Sequence, residues 1–356
     1  MRVDSWKGVN LGGWFSQVDA IEEKDPSTFP GVDGHIETFL GEDDFERIAA
    51  WGFDHVRLPV DWQIVFDETL APREERLRRL DQAIAGIRSR GLEVLLDLHR
   101  CPGHDFHEGT TRDQPLFTVP SALAGACRVL SVLSERYGAD PGCAIELLNE
   151  PTAPDAATWN RIAKTLFAQV RAHAPRSTIV VGSNRWNSAP EFAHLEPMDD
   201  DNVLYSFHFY NPVLFSHQMA PWIAHEAFHQ ARSWPGDYVL PSDADHRLPL
   251  ESGRWDRDRL AQCLEPVVAF RERYGLRVSC DEFGVYKAGP ARAHQLAWIR
   301  DLLGLFTQHG IGWTYWNYRN LDFGLLSRGE SLFADDPCYA NPERCDRELV
   351  ELLLKA

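Results

Sequence analysis

The chain has 356 residues, 44% of them hydrophobic, and its 53 acidic and 36 basic side chains give a formal net charge of −17. This negative charge disfavours nucleic acid and anionic membrane surfaces as partners. No apolar run approaches the ~18 residues of a membrane-spanning helix, and Met1–Trp6 contains no hydrophobic signal segment. We therefore expect a cytoplasmic protein with neutral substrates, or a secreted one if a signal segment has been removed.

Apolar runs alternate with helical segments through the first half of the chain. Each run is rich in Val, Ile and Leu and stops at a turn or polar residue, which is typical of buried strands. Four strands are predicted at residues 7–14, 53–59, 92–99 and 143–150. Helical periodicity and end signals predict helices at residues 43–51, 74–90 before the stop at Gly91, 120–137, and from a cap at Asp155 to about His173.

The second half of the chain repeats the alternation but contains one long insertion. Strands are predicted at residues 178–182, 203–210, 277–284 and 312–318, and helices at 256–274, 291–309 and 347–355. Residues 211–254 separate the sixth strand from the next helix and carry five aromatic side chains. Because long irregular segments of a barrel are usually functional, we interpret this insertion as a lid or wall, with a packing element as the alternative.

Eight apolar strands separated mostly by helices indicate a parallel sheet, since strands covered by helices carry continuous apolar runs. Eight such units close into a barrel. No linker, repeat or low-complexity segment interrupts the sequence. The predicted fold is a single (β/α)8 barrel domain spanning residues 1–356, with the insertion in the loop after the sixth strand.

The seven cysteines show no disulfide pattern. Cys143 and Cys280 lie within predicted strands and are typical of small buried side chains. Cys338 and Cys345 lie in a polar stretch and are able to pair, although nothing in the sequence requires it. We expect reduced thiols.

Two glutamates stand at strand ends that are far apart in sequence. Glu150 follows an apolar run and precedes Pro151, which cannot continue a strand. Glu282 ends a second apolar run just before Gly284. Because the strands of such a barrel all end at one face, the two carboxyl groups are expected to meet there. A pair of facing carboxyl groups is what glycoside hydrolysis requires.

Further polar and aromatic side chains occur at the same level of the predicted strands: Arg57, His99, Asn149, His208, Tyr210 and Trp316. His208 and Tyr210 are two apart and therefore share one face of a strand. Asn149 and Glu150 are adjacent, so a regular strand would point them to opposite faces. Some irregularity, such as a bulge, must direct both towards one site.

Six segments of the chain together resemble glycoside hydrolase family 5, the cellulase-like family of retaining two-glutamate barrels. They are Val56-Arg57-Leu58-Pro59, Leu96-Asp97-Leu98-His99, Asn149-Glu150-Pro151, His208-Phe209-Tyr210, Glu282-Phe283-Gly284 and Trp316. The resemblance implies that Glu150 is the acid/base and Glu282 the nucleophile, with carboxyl groups ~5–5.5 Å apart and no cofactor or metal. Burial and the Glu282 carboxylate should raise the pKa of Glu150.

The resemblance also suggests roles for the other strand-end residues. Arg57 would keep Glu282 ionised, Tyr210 would donate to it, and His208 would bind substrate or steady the acid. Asn149 would bond the sugar 2-hydroxyl, and His99 another hydroxyl. Trp316, followed by a cis peptide, would stack beneath the sugar at the cleavage point. Some of the other loop tryptophans are expected to line a sugar groove: Trp14, Trp62, Trp186, Trp222 and Trp234.

The implied substrate is a β-linked oligo- or polysaccharide. The segment Gly8–Trp14 looks like that of exo-β-1,3-glucanase members, which favours β-glucan or β-gluco-oligosaccharides and leaves endo or exo action open. The same chemistry on β-mannan or a glycolipid is the alternative, and the oligomeric state is left open. Two other classes of protein are further alternatives.

A sugar-binding barrel without catalysis is disfavoured because both glutamates are present. A metal-dependent hydrolase would draw on Asp97, His99, His104 and His107. However, the other strand ends offer no second set of His and Asp ligands, and Pro102-Gly103 disfavours a helix that would align His104 with His107.

Overall fold

Eight parallel strands form a closed barrel in the computed structural model, which describes residues 6–106, 114–239, 252–327 and 339–355. The strands of these residues are β1 Lys7–Asn10, β2 His55–Asp61, β3 Glu93–Arg100, β4 Cys143–Glu146, β5 Ile179–Gly182, β6 Val203–Phe209, β7 Gly236–Tyr238, β8 Gly253–Trp255, β9 Arg277–Phe283 and β10 Gly312–Tyr315. The barrel runs in chain order from β1 to β6, then β9 and β10, which pairs with β1. The predicted (β/α)8 fold is confirmed.

Helices connect the strands and surround the barrel. They are α1 Val18–Glu22, α2 Gly31–Thr38, α3 Glu42–Trp51, α4 Trp62–Val65, α5 Glu74–Ser89, α6 Pro115–Thr118, α7 Pro120–Tyr137, α8 Ala156–His173, α9 Asn184–Asn187, α10 Val213–Ser216, α11 Arg257–Tyr274, α12 Arg292–His309 and α13 Arg347–Lys355. The predicted helices agree with these bounds to within one residue. The Asp155 cap is also confirmed, because its carboxylate accepts a 2.7 Å hydrogen bond from the backbone N–H of Thr158.

The strands read as continuous apolar runs because both of their faces are covered. β2, β4, β5 and β6 are buried along their whole lengths. On β6, Tyr205 faces outwards and packs its ring against Phe270 of α11, with 5.0 Å between ring centroids. Leu204 faces inwards and belongs to a small apolar cluster inside the barrel. This alternation directs His208 and Tyr210 inwards as well.

Three predicted strands end three or four residues earlier in the structure. β1 ends at Asn10 rather than at Trp14, β4 at Glu146 rather than at Glu150, and β10 at Tyr315 rather than at Tyr318. After β4 the chain still bonds its neighbours, since the N–H of Asn149 donates to Leu98 O, but Glu150 adopts a left-handed φ of 45°. The expected irregularity at Asn149 and Glu150 is therefore a left-handed residue in the loop and not a bulge within β4. The Trp316–Asn317 peptide is cis.

The insertion is partly a packing element. Among its described residues, 211–239 and 252–254, Trp234 is buried and its Nε1–H donates to Asp301 Oδ2 at 2.9 Å on α12. The antiparallel pair of β7 and β8 adds a short sheet outside the barrel. Trp222, in contrast, is 50% exposed.

Cys143 and Cys280 are fully buried in their strands, as expected. Cys345 is buried. Cys338 lies outside the described residues, so the suggested pairing of Cys338 with Cys345 lies outside them as well. Within the part of the chain that the structure describes, no helix is long and apolar enough to cross a membrane.

A matched pair of Gly→Ala substitutions tests how tightly the barrel interior is packed. A Cβ at Gly8 in β1 would overlap the ring of His55, which stacks on Trp6 and contacts Thr314 Oγ1. We expect Gly8→Ala to lower the free energy of unfolding by about 1–3 kcal/mol, because overpacking a filled core forces side chains and backbone to shift. Denaturant unfolding measures this change.

The control is Gly304→Ala in α12, where the added Cβ meets open space. Alanine is the better helix former, so this variant should be neutral or more stable by up to about 1 kcal/mol. Equal effects of the two substitutions would contradict the packing described for β1 and β2.

Candidate active site

Arg57 is at the centre of the site and is fully buried in β2. Its guanidinium contacts acceptors from four other strands or the loops that follow them. The contacts are Nε to Glu146 Oε2 at 2.7 Å, Nη2 to Glu146 Oε1 at 3.1 Å, Nη2 to Asn149 Oδ1 at 2.8 Å, Nη2 to Asp97 Oδ2 at 2.9 Å, Nη1 to Glu282 Oε1 at 2.6 Å and Nη1 to Asn10 Oδ1 at 3.1 Å. One side chain thus joins the predicted Asn149 and Glu282.

The carboxyl groups around Arg57 explain how its positive charge is stabilised although the side chain is fully buried. Burial alone would lower the pKa of Arg57, but the carboxyl groups of Asp97, Glu146 and Glu282 raise it well above its usual value. Removing a partner from such a buried pair is costly because the remaining charge is left uncompensated. The guanidinium is therefore permanently charged and fixed in orientation.

Both oxygens of Glu282 accept hydrogen bonds. Oε1 accepts from Arg57, and Oε2 accepts from the Tyr210 hydroxyl at 3.0 Å. Burial raises the pKa of Glu282 to about 7, although Arg57 and the Tyr210 hydrogen bond oppose the rise. The expected contacts of Arg57 and Tyr210 with this carboxylate are therefore present. They favour its ionised form.

Glu150 lies beside Glu282 but has different partners. Its Oε1 is 2.9 Å from His208 Nδ1, and its side chain is 13% exposed. Burial, followed by the charge of Glu282, raises the pKa of Glu150 well above its usual value, as expected. Of the two carboxyl groups, only Glu282 bonds directly to a guanidinium. Glu282 is thus the one that ionises more readily.

The two carboxyl groups are close together. An oxygen of Glu150, a ring nitrogen of His208 and an oxygen of Glu282 all lie within 4.8 Å of one another. This spacing suits retaining hydrolysis, because inverting enzymes hold their carboxyl groups roughly 6.5–9.5 Å apart to admit a water. Among the described residues, these three side chains are the one group of His, Cys, Asp or Glu close enough to share an ion.

The described residues that were considered as metal ligands form hydrogen bonds with other side chains. Asp97 Oδ2 bonds His99 Nδ1 at 2.7 Å as well as Arg57. His104 points to Thr152, with Nε2 3.2 Å from Oγ1, and burial lowers the pKa of His104 to about 3. His107 lies outside the described residues.

Asn149, His99 and Trp316 form the floor of the site. Asn149 is fully buried, and within the described residues its Nδ2 has no hydrogen-bond partner, so it can donate to a ligand oxygen. The ring of His99 lies parallel to that of Trp316, with 5.9 Å between centroids and 5° between planes. Polar donors beside a flat aromatic surface match the hydroxyl and C–H faces of a sugar.

Only two of the loop tryptophans remain available to a ligand groove. Three pack against the core: Trp14, Trp62 and Trp234. Trp186 is half-buried, and its Nε1–H donates to Phe106 O at 3.2 Å. The exposed Trp222 stands edge-on to Tyr286, with 5.2 Å between ring centroids.

Three contributors to the site were missed from the sequence. Glu146 and Asn10 bond Arg57, and Asn187 approaches His208, with 3.3 Å between Asn187 Nδ2 and His208 Nε2. Glu146 is an ionisable residue inside the apolar run of β4, and this was a usable signal. Asn187 occupies an irregular turn, where no periodicity marks it.

Comparison with known proteins gives consistent matches over nearly the whole chain. Residues 20–322 match the family model described as cellulase, glycosyl hydrolase family 5. Endoglucanase C of Acetivibrio thermocellus is 31% identical over 331 residues, which cover 90% of this chain and 93% of that protein. Cellodextrinase A of Ruminococcus flavefaciens is 31% identical over 309 residues, covering 86% of this chain and 83% of that protein.

The fold also matches solved structures. The endoglucanase Cel5A of Thermotoga maritima superimposes with a TM-score of 0.73 at 19% identity, covering 98% of this chain and 96% of that one. At this identity the likeness concerns the barrel fold.

The buried carboxyl groups predict a particular dependence of stability on pH. Burial raises the pKa of Asp97 from 3.8 to about 7. Between these values the unfolded chain ionises at Asp97 and the folded chain does not, so stability falls as pH rises. We expect Asp97→Asn to flatten the decrease in melting temperature from about pH 4 to about pH 7, as measured by calorimetry.

Asp81→Asn is the control, because the pKa of this carboxyl group is shifted the other way. The hydrogen bond from Arg136 lowers the pKa of Asp81, so its stabilising contribution is complete above about pH 4 and is lost only at more acidic pH. Its removal should leave the decrease in melting temperature between about pH 4 and about pH 7 unchanged. An equal flattening in both variants would contradict the raised pKa of Asp97.

Proposed function

The chain belongs to glycosyl hydrolase family 5, and on this premise we propose that it hydrolyses β-1,4-linked glucan chains with Glu150 as acid/base and Glu282 as nucleophile. It is a glycosidase acting on β-glucan with retention at the anomeric carbon. The observation that supports the assignment is a pair of carboxyl groups with an oxygen of one within 4.8 Å of an oxygen of the other, one bonded by Arg57 and Tyr210 and the other by His208.

In the first step, Glu282 Oε attacks the anomeric carbon while Glu150 gives its proton to the leaving glycosidic oxygen. The C–O bond to the leaving sugar breaks, and a glycosyl ester of Glu282 forms. Arg57 and Tyr210 hold the carboxylate in place and keep its attacking form ionised. The high pKa of Glu150 keeps its proton available near neutral pH.

In the second step, Glu150 is a carboxylate and acts as the base. It takes a proton from a water molecule, whose oxygen attacks the anomeric carbon and releases Glu282. Loss of the negative charge on Glu282 in the ester lowers the pKa of Glu150, because the charge of Glu282 is one cause of its elevation. The same side chain therefore suits acid and then base catalysis.

The sugar at the cleavage point would lie between Asn149 and Trp316. The unpartnered Nδ2 of Asn149 would donate to the 2-hydroxyl, and this bond strengthens in the transition state. Trp316 would stack on the C–H face of the ring, with His99 beside it.

The relatives and the aromatic side chains favour internal cleavage of β-1,4-glucan. The two relatives named above, endoglucanase C and cellodextrinase A, carry names of enzymes acting on glucan or cellodextrin. Trp186 is tied to the leaving-group side, since its N–H donates to Pro151 O beside Glu150. We infer that Trp222 serves the opposite side, because it packs on Tyr286 of the apolar cluster that contains Trp316. Aromatic platforms on both sides of the cleaved bond would suit a chain that continues in both directions.

Product analysis on cello-, laminari- and manno-oligosaccharides tests this proposal. We expect cellopentaose to be cut at internal bonds, giving mixed shorter oligomers, and Glu282→Ala to lower turnover by about 10⁴-fold or more. The variant should still fold, because Asp97 and Glu146 continue to bond Arg57, and it should bind cellopentaose in calorimetry. Stepwise release of glucose, or hydrolysis of only the laminari or manno series, would refute internal β-1,4 cleavage. Loss of the fold in Glu282→Ala would give Glu282 a structural role.

Tyr210→Phe tests how Glu282 is kept ionised. The hydroxyl stabilises the carboxylate, so its removal should raise the pKa of Glu282 and move the acid limb of kcat/KM to higher pH. We also expect kcat to fall by about 10²-fold, the usual effect of losing one charge-stabilising donor. The pH profile on an aryl β-cellobioside measures both changes.

The matched control is Tyr205→Phe on β6, the strand that Tyr210 directly follows. Tyr205 faces outwards, and its hydroxyl accepts from the N–H of Met198 at 2.7 Å. This variant should lose stability but keep the acid limb unchanged. An unchanged acid limb in Tyr210→Phe as well would contradict the role given to Tyr210.

A further inference from the structure

The two ring nitrogens of His208 face different partners. Nδ1 is 2.9 Å from Glu150 Oε1 and 3.7 Å from Glu282 Oε2, while Nε2 is 3.3 Å from the amide Nδ2 of Asn187. Burial, together with the charges of Arg57 and His99, lowers the pKa of His208 well below 6.5. The imidazole is therefore neutral and carries one proton. Which nitrogen holds that proton decides what the ring offers to Glu150.

Asn187 is held in place by an unusual turn. It is fully buried and follows Arg185 and Trp186, and all three residues have left-handed φ values of 50°, 58° and 52°. Gly182 at the end of β5 makes room for the amide, because a Cβ there would overlap it. Consecutive left-handed residues other than glycine are costly and tend to persist where a site needs them.

The amide of Asn187 determines the tautomer of His208. An amide N–H directed at Nε2 requires a lone pair there, so the ring proton resides on Nδ1 and is donated to Glu150 Oε1. Because Oε1 accepts this hydrogen bond, the acid proton of Glu150 belongs on Oε2. The proton to be delivered is then on the oxygen that does not face the ring.

We propose that Asn187 is a positioning residue for catalysis: it fixes His208 in the Nδ1–H tautomer and thereby places the acid proton of Glu150 on Oε2. The inference rests on the proposed function, since it concerns proton delivery by the same acid. Asn187 itself touches neither the glycosidic oxygen nor the anomeric carbon in this role. It acts through His208.

Asn187→Asp tests this inference with two aryl β-cellobiosides. A carboxylate accepts hydrogen bonds only, so it draws the ring proton to Nε2 and leaves Nδ1 to accept the Glu150 proton on Oε1. Phenyl β-cellobioside needs its leaving oxygen protonated, whereas 2,4-dinitrophenyl β-cellobioside does not. We expect kcat/KM to fall about 10²-fold for the phenyl substrate, the usual contribution of a general acid, and about 3-fold or less for the dinitrophenyl substrate.

Asn184→Asp provides the matched control in the same turn. The side chain of Asn184 bonds only the backbone of Ala153 in the described structure: Oδ1 accepts from its N–H and Nδ2 donates to its carbonyl. A structural perturbation of the turn should lower kcat/KM of both substrates by the same factor. Asn187→Ala, which removes the amide donor, should show the substrate-dependent loss and serves if Asn187→Asp does not fold.

A second readout does not depend on activity. In the wild-type protein, ¹⁵N NMR of labelled histidine should show the proton of His208 on Nδ1, and in Asn187→Asp on Nε2. A wild-type proton on Nε2, or equal losses for both substrates in Asn187→Asp, would overturn the inference. Because the tautomer is measured without substrate, that failure is distinct from retained turnover in Glu282→Ala, which would refute the proposed function itself.

Discussion

The structure of the site depends on one buried arginine that contacts more carboxyl groups than its single positive charge can balance. Arg57 is directly bonded to Asp97, Glu146 and Glu282, so one positive charge balances three acidic groups in a region shielded from water. Complete ionisation of all three would leave net negative charge in a low dielectric, which is costly. Protons are therefore retained at the mouth of the barrel. Together with burial, which is the main cause, this surplus of carboxyl groups raises the pKa of Glu150, the proposed acid.

The proposed roles of the two glutamates follow from the side chains around them. Both lie at the same end of the barrel and both are largely buried, but Glu282 receives the guanidinium and a phenol. Glu150 receives a neutral imidazole. A charged donor stabilises a carboxylate more than a neutral one does. The asymmetry thus arises from strands β2 and β6, which supply these donors, and not from the glutamates themselves.

The site residues that could be predicted from the sequence are those at which an apolar run stops abruptly at a polar residue. An apolar run that stops at Asn149-Glu150-Pro151 or Glu282 signals a strand end without knowledge of the fold. Glu146 escaped notice because it lies inside such a run, and its partner Arg57 is 89 positions away. Asn187 depends on the left-handed turn and on the space above Gly182, which are properties of the folded chain. The lengths of β1, β4 and β10 were overpredicted because apolar residues continue past the last residue that pairs with a neighbouring strand.

The turn after β5 connects substrate binding with proton placement. Its backbone joins the acid loop, since Trp186 N–H donates to Pro151 O, and its next residue is the Asn187 that faces His208. The indole of Trp186 also contacts Phe106, whose ring stands edge-on to His99 in the floor of the site. A sugar stacked on this indole would contact the residue next to Asn187, whose amide is proposed to set the tautomer of His208. Under the proposed mechanism, this turn would link the position of the leaving sugar, through Trp186, to the position of the acid proton, through Asn187 and His208.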